Sequence, residues 1–190
     1  MGRLILVLGG ARSGKSGFAQ RLAQELGGDR VVFVATAEAR DEEMRRRIEV
    51  HRRTRPPGWK TAEAPRQVGE AARASGAGAR VVLVDCLTLL ASNTILALGE
   101  APEAVAAEAA VMDEVRTLLD ACRESTATFI VVSNEVGLGL VPDNPLGRLY
   151  RDLLGQANQV LAARASAVYL LVAGLPLEIK SMTSGGQPAR

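Results

Sequence analysis

The chain has 190 residues, 47% of them hydrophobic, which is enough to bury one sizeable core and too few for two full domains. Its 23 basic residues nearly balance 21 acidic ones, so the net charge of +2 argues against a broad nucleic-acid footprint and leaves only local clusters to interpret. The expectation is one domain over residues 1–180, followed by a mobile polar tail at 181–190.

The first segment, RLILVLGG, carries five apolar residues in a row at 4–8, too short for a signal h-region or a membrane span, and reads as a buried strand. Directly after it comes GGARSGKS (9–16), a complete match to G-x-x-x-x-G-K-[ST] in the context that motif requires. Gly9, Gly10 and Gly14 let the backbone curl around Ala11, Arg12 and Ser13, so that its N–H groups and the start of the next helix can cradle phosphate oxygens. Lys15 is one of only three lysines against twenty arginines, and is expected to reach the β- and γ-phosphates; Ser16 offers a hydroxyl to magnesium. Phe18, Leu22 and Leu26 form the apolar stripe of the helix that follows.

A second apolar run, VVFVA (31–35), leads to RDEEMRRRIEVHRR (40–53), which reads as a helix with acids in its first turn and arginines in its last, stopped by Arg55-Pro56-Pro57. Met44, Ile48 and His51 fall on one face of it, and His51 is the only histidine in the chain. Its bland reading is a boundary residue in a basic helix. Its functional reading is a neutral imidazole, kept so by cationic neighbours and able to attack phosphorus, with arginines at hand for the phosphate oxygens. Trp59 reads as packing or as a platform for a flat ligand.

VVLVD (81–85) ends in Asp85, at the strand tip where a phosphate-loop protein keeps a carboxylate for magnesium, although an Asp there can also simply cap the next helix. Helical stripes are expected through Val105, Ala109, Met112, Leu119 and Cys122, and through Leu146, Leu149, Leu153, Ala157 and Val160, the second begun by Asn144 and Pro145. Between them FIVVS (129–133) is a fourth strand. The loop SNEVGLGLVPDNP after it offers Asn134 and Glu135 either as γ-phosphate sensors or as caps of a glycine-rich flap. VYLLVA (168–173) is a fifth strand, and GLPLEIK (174–180) a short last one. Cys86 and Cys122 lie in apolar patterns without metal or redox spacing and read as core residues, consistent with a reducing, cytoplasmic setting.

Continuous Val/Ile/Leu runs alternating with helices indicate an α/β fold, a mostly parallel sheet covered by helices, with right-handed crossovers. The phosphate loop with Asp85 points to a magnesium-nucleotide site and leaves three classes open: small-molecule kinase, motor or switch ATPase, and nucleotidyltransferase.

Taken together, GGARSGKS, the strand ending VAT, EEMRRRIEVHRRTRPPGWKTAE and VVSNEVGLGLVPDNPLGRLYRD resemble the bifunctional adenosylcobinamide kinase / adenosylcobinamide-phosphate guanylyltransferases of cobalamin biosynthesis, across about residues 4 to 180. The resemblance implies a RecA-like P-loop NTPase fold assembled as a homotrimer. It implies phosphorylation of the aminopropanol hydroxyl of adenosylcobinamide by ATP or GTP, then transfer of GMP from GTP through a guanylylated histidine, His51 in this chain. It also assigns Ala35, Thr36, Ala37, Arg52, Arg53, Thr54, Arg55, Glu63 and Asp85 to the GTP site, with Ser16 and Asp85 on Mg2+. Arg45 and Arg46 are left as solvated surface.

Overall fold

The computed structural model describes residues 2–39, 41–53 and 55–183; the side chains of Arg47, Val50, His51 and Thr183 are outside the description. The elements run β1 (Arg3–Gly9), α1 (Lys15–Gly27), β2 (Val31–Ala35), α2 (Glu42–Arg53), β3 (Lys60–Glu63), α3 (Val68–Ser75) and β4 (Val81–Asp85), continuing with α4 (Leu87–Leu96), α5 (Ala104–Glu124), β5 (Thr128–Asn134), α6 (Pro145–Arg164), β6 (Ala167–Val172), β7 (Leu175–Glu178) and α7 (Ile179–Thr183). Of the expected tail, Ser181 and Met182 belong to α7, and residues 184–190 lie outside the described residues.

The seven strands form one sheet in the order β3-β2-β4-β5-β1-β6-β7, parallel except for the β6–β7 hairpin. Each of the five apolar runs is a strand, and their burial explains the unbroken Val/Ile/Leu pattern. On β1, Leu4, Leu6 and Leu8 enter a core with α3, α4, α5 and α6, while Ile5 and Val7 enter a second core with α1 on the opposite face. Burying each such side chain contributes roughly 1.5–3 kcal/mol. The strand that the sequence reading did not anticipate is β3, whose KTAE sequence is polar because an edge strand is wet on one side.

Three helical stripes are rotated from their expected positions. On α5 the buried residues are Ala107, Val111, Val115, Leu118, Ala121 and Cys122, while Val105 is 79% exposed and Ala109 is also exposed. The alanine-rich first half fits two faces equally well, and the larger Val115 and Leu118 decide which one meets the sheet. On α6, Leu153 and Ala157 are buried as expected, but Leu154 and Leu161 complete the stripe and Val160 faces outward. On α1 it is Ala19, Ala23 and Gly27 that are fully buried; Phe18 and Leu22 flank them and Leu26 is exposed. Small residues let α1 lie close on the sheet, since a Cβ at Gly27 would stand 2.7 Å from Val31 Cγ2.

The ends of α2 and α6 follow their sequence signals. Asp41 accepts the Met44 N–H at 2.7 Å, so α2 begins one residue after it, at Glu42. The Asn144 side chain accepts from Gly147 N at 2.6 Å, with Pro145 in the first turn of α6.

Gly69 marks the closest helix contact, where α3 crosses α5: an added Cβ would stand 2.5 Å from the backbone carbonyl of Thr117, which has no room to retreat. Gly69→Ala is expected to lower unfolding free energy by about 1–3 kcal/mol in a urea titration; an unchanged midpoint would show that the two helices part at little cost.

Candidate functional site

The parallel register delivers Gly9, Asn134, Asp85, Ala35 and Glu63 to one edge of the sheet, because Gly9 pairs with Asn134, Ala35 with Asp85, and Ala35 with Glu63 across neighbouring strands. Ligands of open α/β sheets bind outside this carboxyl edge. The loop from Gly10 to Gly14 turns with Arg12 at φ 57° and Gly14 at φ 90°, and Ser13 N donates to Gly10 O at 3.3 Å. Lys15 Nζ donates to Gly10 O at 2.8 Å, folding the side chain back over its own loop. Partial burial lowers the Lys15 pKa, opposed by neighbouring Cys86 and Asp85.

A buttress for this loop was not apparent in the sequence. The β6–β7 turn brings Gly174 against it: Gly174 N donates to Ser13 O at 2.9 Å, and a Cβ on Gly14 would sit 3.3 Å from Gly174 Cα. Ala173 and Gly174 are both at positive φ in this turn, a geometry that the sequence does not display.

Between the sheet edge and α2 lies a cavity of about 850 Å³. Ser16, Asp85 and Asn134 line one side of it and Ala35 and Ala37 the base, while α2 contributes Met44, Ile48, Arg45 and Arg52. Arg55 and Glu63 close the far end. Arg45 lines the cavity while its side chain stays more than half exposed, as the surface reading expected, paired with Glu42 at 2.7 Å. Arg46 is on the surface as expected. Arg53 is exposed and does not line the cavity. Thr54 lies outside the described residues, as does the side chain of His51. The His51 backbone belongs to α2, three residues after Ile48 and one before Arg52, both of which line the cavity.

The two cavity arginines are held differently. Arg52 pairs with Glu63 in the open, with both side chains more than half exposed. The Arg55 guanidinium lies over the Phe33 ring, 3.6 Å from its centroid, and Nη1 donates weakly to Thr61 Oγ1 at 3.3 Å. Its Nε is buried without a hydrogen-bond partner among the described residues. Burial lowers the Arg55 pKa; Asp85 opposes that effect and Arg52 adds to it.

Thr36 is fully buried and does not present its hydroxyl to the cavity. Thr36 Oγ1 donates to Cys86 O at 2.8 Å and accepts from Cys86 N at 2.6 Å, while Thr36 N donates to Asp85 O at 3.3 Å. Asn93 on α4 then donates to Thr36 O and to Pro65 O, at 2.8 and 3.1 Å. Thr36 thus positions Asp85 by tying the tips of β2 and β4 together. Asn93 was missed in the sequence, where its one signal is an amide inside the apolar helix LTLLASNTIL.

Two alternatives left open by the sequence are resolved by the contacts. Asn134 lines the cavity, with its N–H held by Thr88 Oγ1 at 2.8 Å, whereas Glu135 accepts from Gly137 N at 2.7 Å and caps the glycine loop. Trp59 is 7% exposed and donates to Gln24 Oε1 and Gly28 O, both at 3.1 Å, so most of it is packing, although it also lines a cavity with Arg52, Arg55 and Pro57. Burial pushes both cysteine thiols up to about 11; Cys122 lies in the core as expected, whereas Cys86 is half-buried and lines the cavity beside Asp85.

Thr36→Val is expected to leave the Cys86 N–H and C=O unpaired, costing about 1–3 kcal/mol in thermal unfolding and weakening nucleotide binding as Asp85 loses its fixed position; Thr36→Ser should restore both. With thiol values near 11, alkylation of the native protein by iodoacetamide should be slow at pH 8 and accelerate toward pH 11. Rapid modification of Cys86 at pH 8 would contradict that burial.

The sequence model of the family described as cobinamide kinase / cobinamide phosphate guanyltransferase matches residues 5–179. The bifunctional adenosylcobalamin biosynthesis protein CobU of Salmonella typhimurium is 42% identical over 184 residues, covering 93% of this chain and 99% of its own. CobP of Pseudomonas aeruginosa, described in the same words, is 43% identical over 175 residues, covering 92% and 96%. Among solved structures, an ATPase of the type III secretion system of pathogenic bacteria superposes with a TM-score of 0.57 at 15% identity, over 90% of this chain and 52% of that one, a likeness of fold. No helix among the described residues is long and apolar enough to cross a membrane.

Proposed function

The chain belongs to the cobinamide kinase / cobinamide phosphate guanyltransferase family, and on that premise we propose that residues 1–180 act as one nucleotide-binding unit that performs both reactions. The first phosphorylates the aminopropanol hydroxyl of adenosylcobinamide from ATP or GTP, and the second transfers GMP from GTP to the resulting phosphate. The observation that carries this reading is the shared cavity, in which Ser16 and Asp85 from the phosphate-binding edge face Arg45 and Arg52 of the helix that bears His51.

In the guanylyl half-reaction, an imidazole nitrogen of His51 attacks the α-phosphorus of GTP. An N–P bond forms, the α–β bridging P–O bond breaks, and pyrophosphate leaves with the electron pair. A phosphate oxygen of adenosylcobinamide phosphate then attacks the same phosphorus, and the N–P bond breaks to return the free imidazole. Charge on the leaving pyrophosphate is offset by Arg52 and Arg55. Exchanging Glu63 for phosphate costs Arg52 little, since an exposed pair is weak. Arg55 lines the same cavity with its guanidinium held over the Phe33 ring. Arg53 and Thr54 are assigned to the same site by the family resemblance.

Magnesium fits the donors present: Ser16 and Asp85 line one cavity with hard oxygen ligands, and the phosphates would complete a shell in which the ion neutralises their charge. Among the described residues no three His, Cys, Asp or Glu gather as a metal site. Phosphoryl transfer needs mainly positioning by the loop and Lys15, and no dedicated base is assigned.

The apolar side chains of Val172, Leu175, Leu177 and Met182 are exposed around the sheet-edge hairpin, and a homotrimer would cover them. Partners are small molecules rather than nucleic acid or membrane, and the setting is cytoplasmic.

His51→Ala separates the two activities. Guanylyl transfer from GTP to adenosylcobinamide phosphate is expected to fall at least about a thousandfold, while γ-phosphate transfer to adenosylcobinamide stays within about threefold of wild type. Equal guanylyl transfer by the variant would contradict the assignment.

A further inference from the structure

A second cavity, of about 530 Å³, opens on the other side of residues 134–135, between α6 and the tips of β1 and β5. It is lined by Leu8 and Glu135 from the sheet edge and by Arg151, Gly155, Asn158 and Gln159 from α6. Neighbouring residues line the two cavities, Asn134 the nucleotide cavity and Glu135 this one, and Asn158 Nδ2 donates to the Asn134 carbonyl at 3.0 Å.

Three observations mark this cavity as a place for a ligand. First, polar atoms in and beneath it are buried with no partner among the described residues. These are Arg151 Nη1, Asn158 Oδ1 on a residue only 5% exposed, and Oγ of Ser133, which pairs with Leu8 in the sheet and is fully buried. Native interiors rarely leave such atoms unsatisfied.

Second, α6 has a glycine at Gly155, inside a 20-residue helix, where glycine is costly. At Gly27 and Gly69 a close approach explains a helical glycine. At Gly155 nothing lies within 4 Å of where a Cβ would stand, so the missing side chain keeps cavity volume open.

Third, the loop leaving the cavity at Gly137 exposes Leu138, Leu140 and Val141 at 86%, 97% and 62%, placing an apolar rim beside a polar pocket.

The lining decides the chemistry of the occupant. One guanidinium stands with the carboxylates of Glu135 and Asp152 and with the amides of Gln156, Asn158 and Gln159, so neither a phosphate nor a metal ion is matched. A neutral carboxamide is: it donates and accepts at once, as a lining that mixes a guanidinium, carboxylates and amides requires. We propose that this cavity is the subsite for the amide-bearing periphery of the corrinoid, with the apolar ring edge resting on Leu138, Leu140 and Val141. Its volume suits side arms rather than a whole macrocycle, and its position beside Asn134 brings the acceptor alongside the phosphate-loop edge. This assignment rests on the cobinamide reading above.

The test compares wild type, Gly155→Leu and Arg151→Met, each as the full chain, by equilibrium dialysis of cobinamide, by thermal melting, and by covalent labelling with α-labelled GTP without corrinoid. Gly155→Leu fills the cavity and removes a helical glycine. It should therefore melt no lower than wild type, take the label normally, and bind cobinamide at least about tenfold more weakly. Arg151→Met should weaken cobinamide binding in the same sense. Wild-type affinity in both variants overturns the assignment while leaving the labelling result, and the proposed function, intact. Unchanged affinity with an altered oligomeric state in Gly155→Leu also overturns it, giving the cavity to a subunit contact. Conversely, a wild type that takes no label but binds cobinamide in a Gly155-dependent manner refutes the guanylyl-histidine reading and keeps the subsite.

Discussion

The site depends on one constraint: β3, β2, β4, β5 and β1 are all parallel and in a register that ends them together. Because a parallel strand returns through a helix on the sheet's face, every catalytic loop starts from the same edge. Gly9, Asn134, Asp85, Ala35 and Glu63 thus lie side by side although they are far apart in sequence. The hydroxyl of Thr36 locks this edge by exchanging two hydrogen bonds with Cys86, and Asn93 fastens it from α4. A rigid sheet edge is what positions phosphates, since phosphoryl and nucleotidyl transfer draw most of their acceleration from placement and charge.

Facing this edge is a helix of very different character. Only Met44 and Ile48 give the described part of α2 an apolar contact with the cavity; charged residues dominate the rest. It is joined to the sheet edge by the exposed Arg52–Glu63 pair, and beyond its end by Arg55 on Phe33. An exposed ion pair of this kind is weak and exchangeable, in contrast to the fully buried β1–β5–β4 core.

Much of this was legible in the sequence, for physical reasons specific to each segment. The five strands read directly because burial on both faces leaves no polar alternation, and GGARSGKS read directly because its glycines answer to backbone geometry. Asn144 and Pro145 read directly because a cap is a local interaction. By contrast, the expected stripe on α5 holds at Met112, Leu119 and Cys122 but fails at Val105 and Ala109, since AVAAEAAV offers alanine on several faces and only contact with the sheet chooses between them. Thr36 was placed among nucleotide ligands, whereas it serves through Asp85 and Cys86, a role set by a pairing across 50 residues. Neither Gly174 behind the phosphate loop nor the vacant volume at Gly155 leaves a local signature; each exists only where two distant segments meet.

The central claim is that a phosphate-binding edge and a histidine-bearing helix act on one nucleotide across one cavity. The intact mass of the wild-type protein, taken after brief incubation with GTP and magnesium and before any corrinoid is added, tests it most directly. The account expects one guanylyl group per chain, stable in base, released in acid and discharged on addition of adenosylcobinamide phosphate. An unchanged mass in a preparation that converts adenosylcobinamide phosphate and GTP to product would contradict it, because GMP would then pass directly to the acceptor without resting on the protein.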